Sequence, residues 1–440
     1  MQIVKKILLC ALLGGLTAQA QQSFSLEQAV AYAQEHSYLA QNSSLEVDKA
    51  KHIVNKTLAI GFPQISAGAN YGYFLKQPVQ LIPAEFVGGP PGEFAEFVFG
   101  TKHNINANIT ATQLLFDGSY IIGVKGSEKY LEMSKNAEIK TAVEIRDAVI
   151  QLYGAVLVAQ ANEKVLQETL DNLNKLVTEN SVLAENGFLE ETDVLQLEIL
   201  AANTENQLRY MQRYIYQGLG ALKLSMGLDM NVDIVLVDNL ESLVEWVSAA
   251  QMLEKGFDYN YHIDYIIANN QRDIKALQVS LEKSKYLPRL DAFINFQENA
   301  FSQTFSNAMW FPASLAGVNF SVPIFTSFQN RNSVQESLIA LDQANVSRKQ
   351  TEQQLILDAE NARNDYMLAY DLFTTKKRSW ELSRSINERE FRKYQEGMST
   401  SLNILQTQNQ YLQSQTEYTE AIFQLVQAKS ALEKALNTVK

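Results

Sequence analysis

Two periodicities divide the chain. In four segments the apolar positions recur at every second residue, the period of a strand with one wet face. Asn104–Phe116 is the clearest: Ile105, Ala107, Ile109 and Ala111 share one face, and Asn104, Asn106, Asn108, Thr110 and Thr112 the other. Gln64–Phe74 places Ile65, Ala67, Ala69, Tyr71 and Tyr73 on one side. Leu290–Gln297 alternates Leu290, Ala292, Ile294 and Phe296 with Asp291, Phe293, Asn295 and Gln297, and Leu315–Phe325 groups Ala316, Val318, Phe320 and Val322. Segments of this length approach the roughly 9–11 residues that a tilted strand needs to cross a bilayer. A soluble sheet would alternate in the same way. Tyr71, Tyr73, Phe74, Phe301, Phe305, Trp310 and Phe311 gather near the strand ends, as interfacial aromatic girdles do.

Everything else has the composition of long helices. All 8 prolines lie in two windows, Pro63 to Pro91 and Pro288 to Pro323, and none interrupts 92–287 or 324–440. A proline inside a helix costs about 3 kcal/mol, so such stretches permit helices of unusual length. After Pro323 there is one glycine, Gly397. Helices over 326–396 and 399–439 are expected, the first reaching roughly 100 Å at about 1.5 Å per residue. Gly397 supplies the left-handed residue that ends one helix, and Ser399, Thr400 or Ser401 caps the next.

The pattern occurs twice. Glu185–Gln196 (ENGFLEETDVLQ) resembles Gln395–Gln406 (QEGMSTSLNILQ), so Gly187 pairs with Gly397 at a separation of 210 residues. Gln113–Tyr120 (QLLFDGSY) resembles Val322–Gln329 (VPIFTSFQ). Pro63 and Pro288 precede the two strand pairs, and the first pair has the longer connection, around Pro78 to Gly100. Each copy reads as helix, strand, strand, long helix, turn, helix, with Thr192 or Asp193 near the start of the helix after Gly187. The boundaries are 21–230 for the first copy, with its hairpin at 64–116, and 261–440 for the second, with its hairpin at 290–325. Residues 231–260 form an inter-repeat segment. Four strands cannot close a membrane barrel, and open edges are not tolerated in lipid, so if these are membrane strands several chains must share one barrel.

Charge and the first residues fix the compartment. Lys5 and Lys6, the apolar run Ile7–Leu16 and Ala18-Gln19-Ala20 read as a signal peptide, residues 1–20, cleaved after Ala20. Cys10 is the single cysteine, so no disulfide is available after cleavage. Losing the two lysines takes the net charge from −12 to −14, which repels nucleic acid. No run of about 18 apolar residues follows the signal, so no membrane-spanning helix is expected. Catalytic and metal chemistry are not visible: His36, His52, His103 and His262 lack ligand spacing. GSYIIGVKG at Gly118–Gly126 lacks the Gly-Lys-Ser/Thr ending of a phosphate loop. Glu190-Glu191 reads as solvated helix charge. The glutamine-rich run Gln406–Gln415 suits either a coiled-coil face or the wall of a watery duct.

Several stretches carry a family resemblance. They are SLEQAVAYAQEHS at Ser25–Ser37, FPQI and YLPRL before the strands, QLLFDG and VPIFTSFQNR after them, and the two glycine turns. In this order, over about 400 residues, the chain resembles the TolC-type outer-membrane efflux proteins. The resemblance implies an α+β fold of long antiparallel helices forming a helical barrel, plus a 12-stranded transmembrane β-barrel completed by three chains. It implies an outer-membrane location extending into the periplasm and a mixed belt in Asn231–Trp246 and the chain's two ends. It also implies contact with outer-membrane lipid and docking to a periplasmic adaptor (membrane-fusion) protein and an inner-membrane pump. The tunnel tip of that family carries aspartates after the second glycine. Here Gly397 matches, but Asn403 and Gln406 occupy the aspartate positions, Asp193 matches in the first copy, and Tyr394 stands where a tip tyrosine is common. Ser399 replaces a basic residue. A tip held mainly by neutral hydrogen bonds, with Asp193 as its anionic site, is therefore expected at Gly187, Asp193, Tyr394, Gly397, Asn403 and Gln406. The leading reading is a passive efflux duct without cofactor or catalysis. Its alternatives are the outer channel of a protein-secretion system and a soluble periplasmic coiled-coil scaffold.

Overall fold

The computed structural model describes residues 22–240, 242, 243, 253 and 256–437. The signal segment, part of the inter-repeat segment including Trp246, and residues 438–440 lie outside the described residues. The described elements, in chain order, are β1 (Gln22–Phe24), α1 (Leu26–His36), α2 (Tyr38–Ala59), β2 (Gln64–Tyr73), β3 (Val79–Pro83), β4 (Phe94–Val98) and β5 (His103–Asp117). There follow α3 (Gly118–Glu185), α4 (Glu191–Met226), β6 (Ile234–Leu236), α5 (Ile263–Ser284), β7 (Arg289–Ser302), β8 (Met309–Ser321), α6 (Gln329–Gln395) and α7 (Ser401–Ala435). Helix predominates, and no helix among the described residues is long and apolar enough to cross a membrane. The chain divides into two compact units.

One unit comprises 48–133 and 269–346. Its centre is a four-stranded sheet of order β2-β5-β7-β8, antiparallel throughout. The register puts the alternation of the four strands in phase. Ile109 opposes Ala67 and Phe296, and Ala111 opposes Ile65 and Ile294, so the apolar positions share one face. On the other face, Asn106 Nδ2 donates to Asn299 Oδ1 at 2.7 Å and Asn295 Nδ2 to Thr110 Oγ1 at 2.6 Å. These cross-strand amide and hydroxyl bonds are the polar counterpart of apolar pairing. Three boundaries differ from expectation by several residues. β7 extends to Ser302, and β8 begins at Met309 and stops at Ser321 rather than Phe325. Pro323 has no N–H for a ladder, whereas Pro312 is accepted within β8 because that strand lies at the sheet edge. The long first connection also has structure of its own: β3 and β4 pair as a separate antiparallel ribbon.

The other unit comprises 1–47, 134–268 and 347–440. Its core follows helical spacing. Val149, Ile150, Tyr153, Val156 and Leu157 of α3 pack with Leu222 and Met226 of α4 and with Ile422, Leu425 and Val426 of α7. Burying each such side chain contributes about 1.5–3 kcal/mol. Ser25 caps α1 through a reciprocal box with Gln28. β1 pairs in parallel with β6. Beside them, the Leu26 N–H donates to Asp238 Oδ2 at 2.7 Å, and the Tyr153 hydroxyl donates to the same oxygen at 2.8 Å. Burial and the Asp238 carboxylate push the Tyr153 phenol pKa upward.

His262 ties down the end of α7. Its Nδ1 accepts from the Asp264 N–H at 3.2 Å, and its Nε2 lies 3.3 Å from the Lys434 carbonyl. These partners select the neutral ring protonated on Nε2. Burial lowers the His262 pKa, against the opposing pull of the Asp264 carboxylate. The charged form is thus disfavoured in the folded chain. Its stabilising contribution is present above the unfolded value of about 6.5 and is lost as pH falls through the lower folded value. Thermal stability is expected to fall more steeply from pH 7 to 5 in the native chain than in His262→Gln. Equal slopes would contradict this assignment.

Candidate functional site

The helix turn at each of Gly187 and Gly397 is built in the same way. Gly187 donates its N–H to the Ala184 carbonyl at 2.9 Å and Phe188 to Leu183 at 2.9 Å; Gly397 donates to Tyr394 at 2.9 Å and Met398 to Lys393 at 2.8 Å. Each is a Schellman closure, which requires a left-handed residue at the glycine position. Gly187 has φ 74° and Gly397 has φ 73°. A Cβ at either glycine would meet nothing within 4 Å, so φ, rather than space, calls for glycine here. Thr400 caps α7 by accepting from the Asn403 N–H. At the other turn α4 begins at Glu191 behind Glu190, which makes no side-chain cap bond, and Thr192 and Asp193 lie in its first turn, near the start as expected.

Around these turns the ends of α3 and α6 meet the starts of α4 and α7. Leu176, Leu197 and Ile404 form a small buried cluster, with Val177, Phe391 and Tyr394 packed on it. Asn180, itself buried, donates Nδ2 to the Tyr394 hydroxyl oxygen at 2.9 Å. Burial, with the nearby Asp193 charge, raises the Tyr394 pKa. The Ser401 hydroxyl, 2% exposed, donates to Asp193 Oδ1. Ser399 donates to Glu390 Oε1, and Lys393 Nζ lies 3.1 Å from Glu390 Oε2. The Ser399 bond and the lysine together hold the Glu390 carboxyl below its usual range.

The structure therefore bonds Asp193 to Ser401 and Tyr394 to Asn180, two pairs close enough for the Asp193 charge to act on the Tyr394 hydroxyl. Asn403 belongs to the cap, its Nδ2 lying 3.3 Å from Ser399 Oγ. Asn403 and Gln406 are exposed. Glu390 and Lys393 form a further charged pair near the Gly397 turn. Ser399, at the position of the replaced base, serves Glu390, while Ser401 serves Asp193. Asn180 and Glu390 were not anticipated. Each lies seven residues before its glycine, and the 210-residue offset carried one helical turn further upstream would have flagged both. Further along the same helices is a groove of about 1260 Å³. Trp380 stacks on Tyr418 there at 4.9 Å between centroids, and Arg384 lies 5.8 Å from the Trp380 ring.

Nothing in this set pairs a nucleophile with a base. Its hydrogen bonds hold four helix ends together, and comparison with known proteins gives that arrangement a context. Residues 268–438 match the family model for outer membrane efflux proteins. Among solved structures, the outer membrane protein VceC of Vibrio cholerae is 16% identical, with 93% of this chain and 95% of that one covered at a TM-score of 0.68. The CmeC outer membrane channel of Campylobacter jejuni is 15% identical over 93% and 85%, with a TM-score of 0.71. The MtrE outer membrane channel of Neisseria gonorrhoeae is 14% identical over 93% and 88%, with a TM-score of 0.69. At such identities the likeness is one of fold, and it extends over 93% of this chain in each case. No curated protein sequence matches this one.

Proposed function

We propose that the chain is the outer-membrane channel of a tripartite efflux system, a passive duct through which an inner-membrane pump expels solutes. Three copies share one barrel of twelve strands, and the paired helices continue it into the periplasm. The two halves of the chain are structural repeats, 21–230 and 261–440, joined by the segment 231–260. The residues of the glycine turns form the periplasmic entrance, which a membrane-fusion adaptor opens.

The observation that carries this reading is the free-edged sheet. β2 and β8 each pair on one side only. Ile65, Ile109, Ile294, Val318 and Phe320, all on the apolar face, are 53–75% exposed. In water such a face would be covered by a second layer. In a bilayer it needs no cover, but both edges must then be paired, and only further copies supply the partners. Three chains give an even number of strands, in keeping with bacterial barrels. The Asn/Thr face then lines the lumen. The apolar face is interrupted by Glu298 and Ser314 in the half of the sheet nearer the β7–β8 turn and by Gln113 in the other half. The localisation test is extraction. The protein should require detergent for release from outer membranes and migrate differently before and after heating. Release by osmotic shock would oppose the reading.

The entrance yields a second test. Exposed Asn403 and Gln406 replace carboxylates with neutral amides, so Asn403→Asp combined with Gln406→Asp adds six carboxylates to a three-copy tip. Divalent-cation block of the reconstituted conductance is expected to increase. Unchanged block would remove these two positions from the entrance.

A further inference from the structure

The β3–β4 ribbon exposes apolar surface that its own chain does not cover. In its register Val79 opposes Val98, Gln80 opposes Phe97, and Pro83 opposes Phe94. Leu81 is 64% exposed, Phe86 81%, Phe94 70% and Phe97 45%. A lone two-stranded hairpin is marginal in water, yet this one is shaped by its sequence. Gly88, Gly92 and Gly100 adopt positive φ at its turns. Its base is tied to the four-stranded sheet: the Phe74 N–H donates to Lys102 O at 2.9 Å, and Gln77 Nε2 to Gly100 O at 2.9 Å. The β7–β8 turn has no such extension.

We propose that the ribbon is a contact surface between copies of this chain, its apolar side packing on the ribbons of its neighbours above the sheet. This rests on the shared-barrel reading given under the proposed function. Three observations favour a second copy as the occupant. The ribbon grows from β2, whose outer edge is unpaired, so a chain closing that edge brings its own ribbon to the same level around one axis. Val79, Leu81, Phe94 and Val98 share one side of the ribbon and are 47–70% exposed, an apolar strip interrupted only by Glu96. Charge disfavours the phosphate-rich lipid surface as the alternative: beyond Lys76 and Lys102 at the base, residues 77–101 contain Glu85, Glu93 and Glu96 and no lysine or arginine. Glu85 and Glu93 sit in the turn, away from the base. The Val79/Val98 and Gln80/Phe97 pairs nearest the sheet carry no charge.

The chain suits a direct test, since Cys10 is its single cysteine. In a Cys10→Ala background, Leu81→Cys and Phe94→Cys are introduced separately into the full chain. The outer-membrane preparation is treated with a short bis-maleimide, and each sample is also weighed intact by native mass spectrometry. A covalent species of two chains, with the third chain left unlinked, is expected at either position, from a protein that remains trimeric. A trimer with no cross-link at both positions overturns the ribbon contact and leaves the shared barrel standing. A monomer with no cross-link overturns both. If one variant fails to assemble, the other decides.

Discussion

Ile109→Arg is expected to abolish assembled protein in the outer membrane, while Asn108→Arg, one residue away, leaves it nearly intact. The two side chains lie on opposite faces of β5, because Ile109 opposes Ala67 and Phe296, whereas Asn108 opposes Gly68 and Gln297. In a lipid-facing position near the bilayer centre an arginine costs about 2–4 kcal/mol, so three copies sum to roughly 6–12 kcal/mol, comparable with the whole stability of a domain. In the lumen the same charge stays in water, and Gly68 leaves room for it. Were the sheet soluble with a wet apolar face, both substitutions would fall within about 0.5 kcal/mol of the native chain. The readout is the amount of heat-modifiable protein in outer membranes at equal expression. Equal tolerance of both arginines would contradict the face assignment.

Arg146→Met is expected to destabilise the helical unit by about 3 kcal/mol. Arg146 of α3 meets Glu433 of α7 at 2.5 Å, and Lys429 lies 3.3 Å from the other carboxylate oxygen. The Glu433 and Lys429 side chains are 8% and 7% exposed. Removing one partner of a buried pair costs about 3–5 kcal/mol because the remaining charge is stranded, and the retained Lys429 places this case at the lower end. Burial, reinforced by the neighbouring Arg146 charge, already lowers the Lys429 pKa. Adding Glu433→Gln to Arg146→Met should cost less than the sum of the two single losses, as it does for residues in one network. Denaturant-induced loss of helical circular dichroism in detergent measures all three variants. A single-variant loss below about 0.5 kcal/mol would show that the cluster is not coupled to folding.

Period-two alternation located all four strands of the main sheet, since the side-chain period survives whatever covers the faces. It placed the ends of β2 and β5 to within a residue but missed the end of β7 and both ends of β8. Met309–Ala313 contains Pro312 and two bulky aromatics, and nothing local marks it as strand; its pairing with β7 makes it one. The β3–β4 ribbon was invisible for the same reason: its prolines and glycines read as loop, and its five-residue strands are too short for a period to register. Gly397 and Gly187 were legible because a left-handed backbone restricts residue choice. Asp193 and Tyr394 were reached through family resemblance, and the resemblance could not say what they touch. Ser401 and Asn180 meet them across 208 and 214 residues of sequence, and contacts of that range are fixed by the packing of four helices rather than by any local pattern. Glu390 escaped notice because one glutamate on a long charged helix looks like any other.

The most direct measurement is native mass spectrometry of the processed protein extracted from outer membranes in detergent. Three copies in one detergent-dependent particle is the result predicted by a sheet with one apolar face and two unpaired edges. A detergent-independent monomer would contradict it, because the free edges of β2 and β8 would then be tolerated in water and no duct would exist.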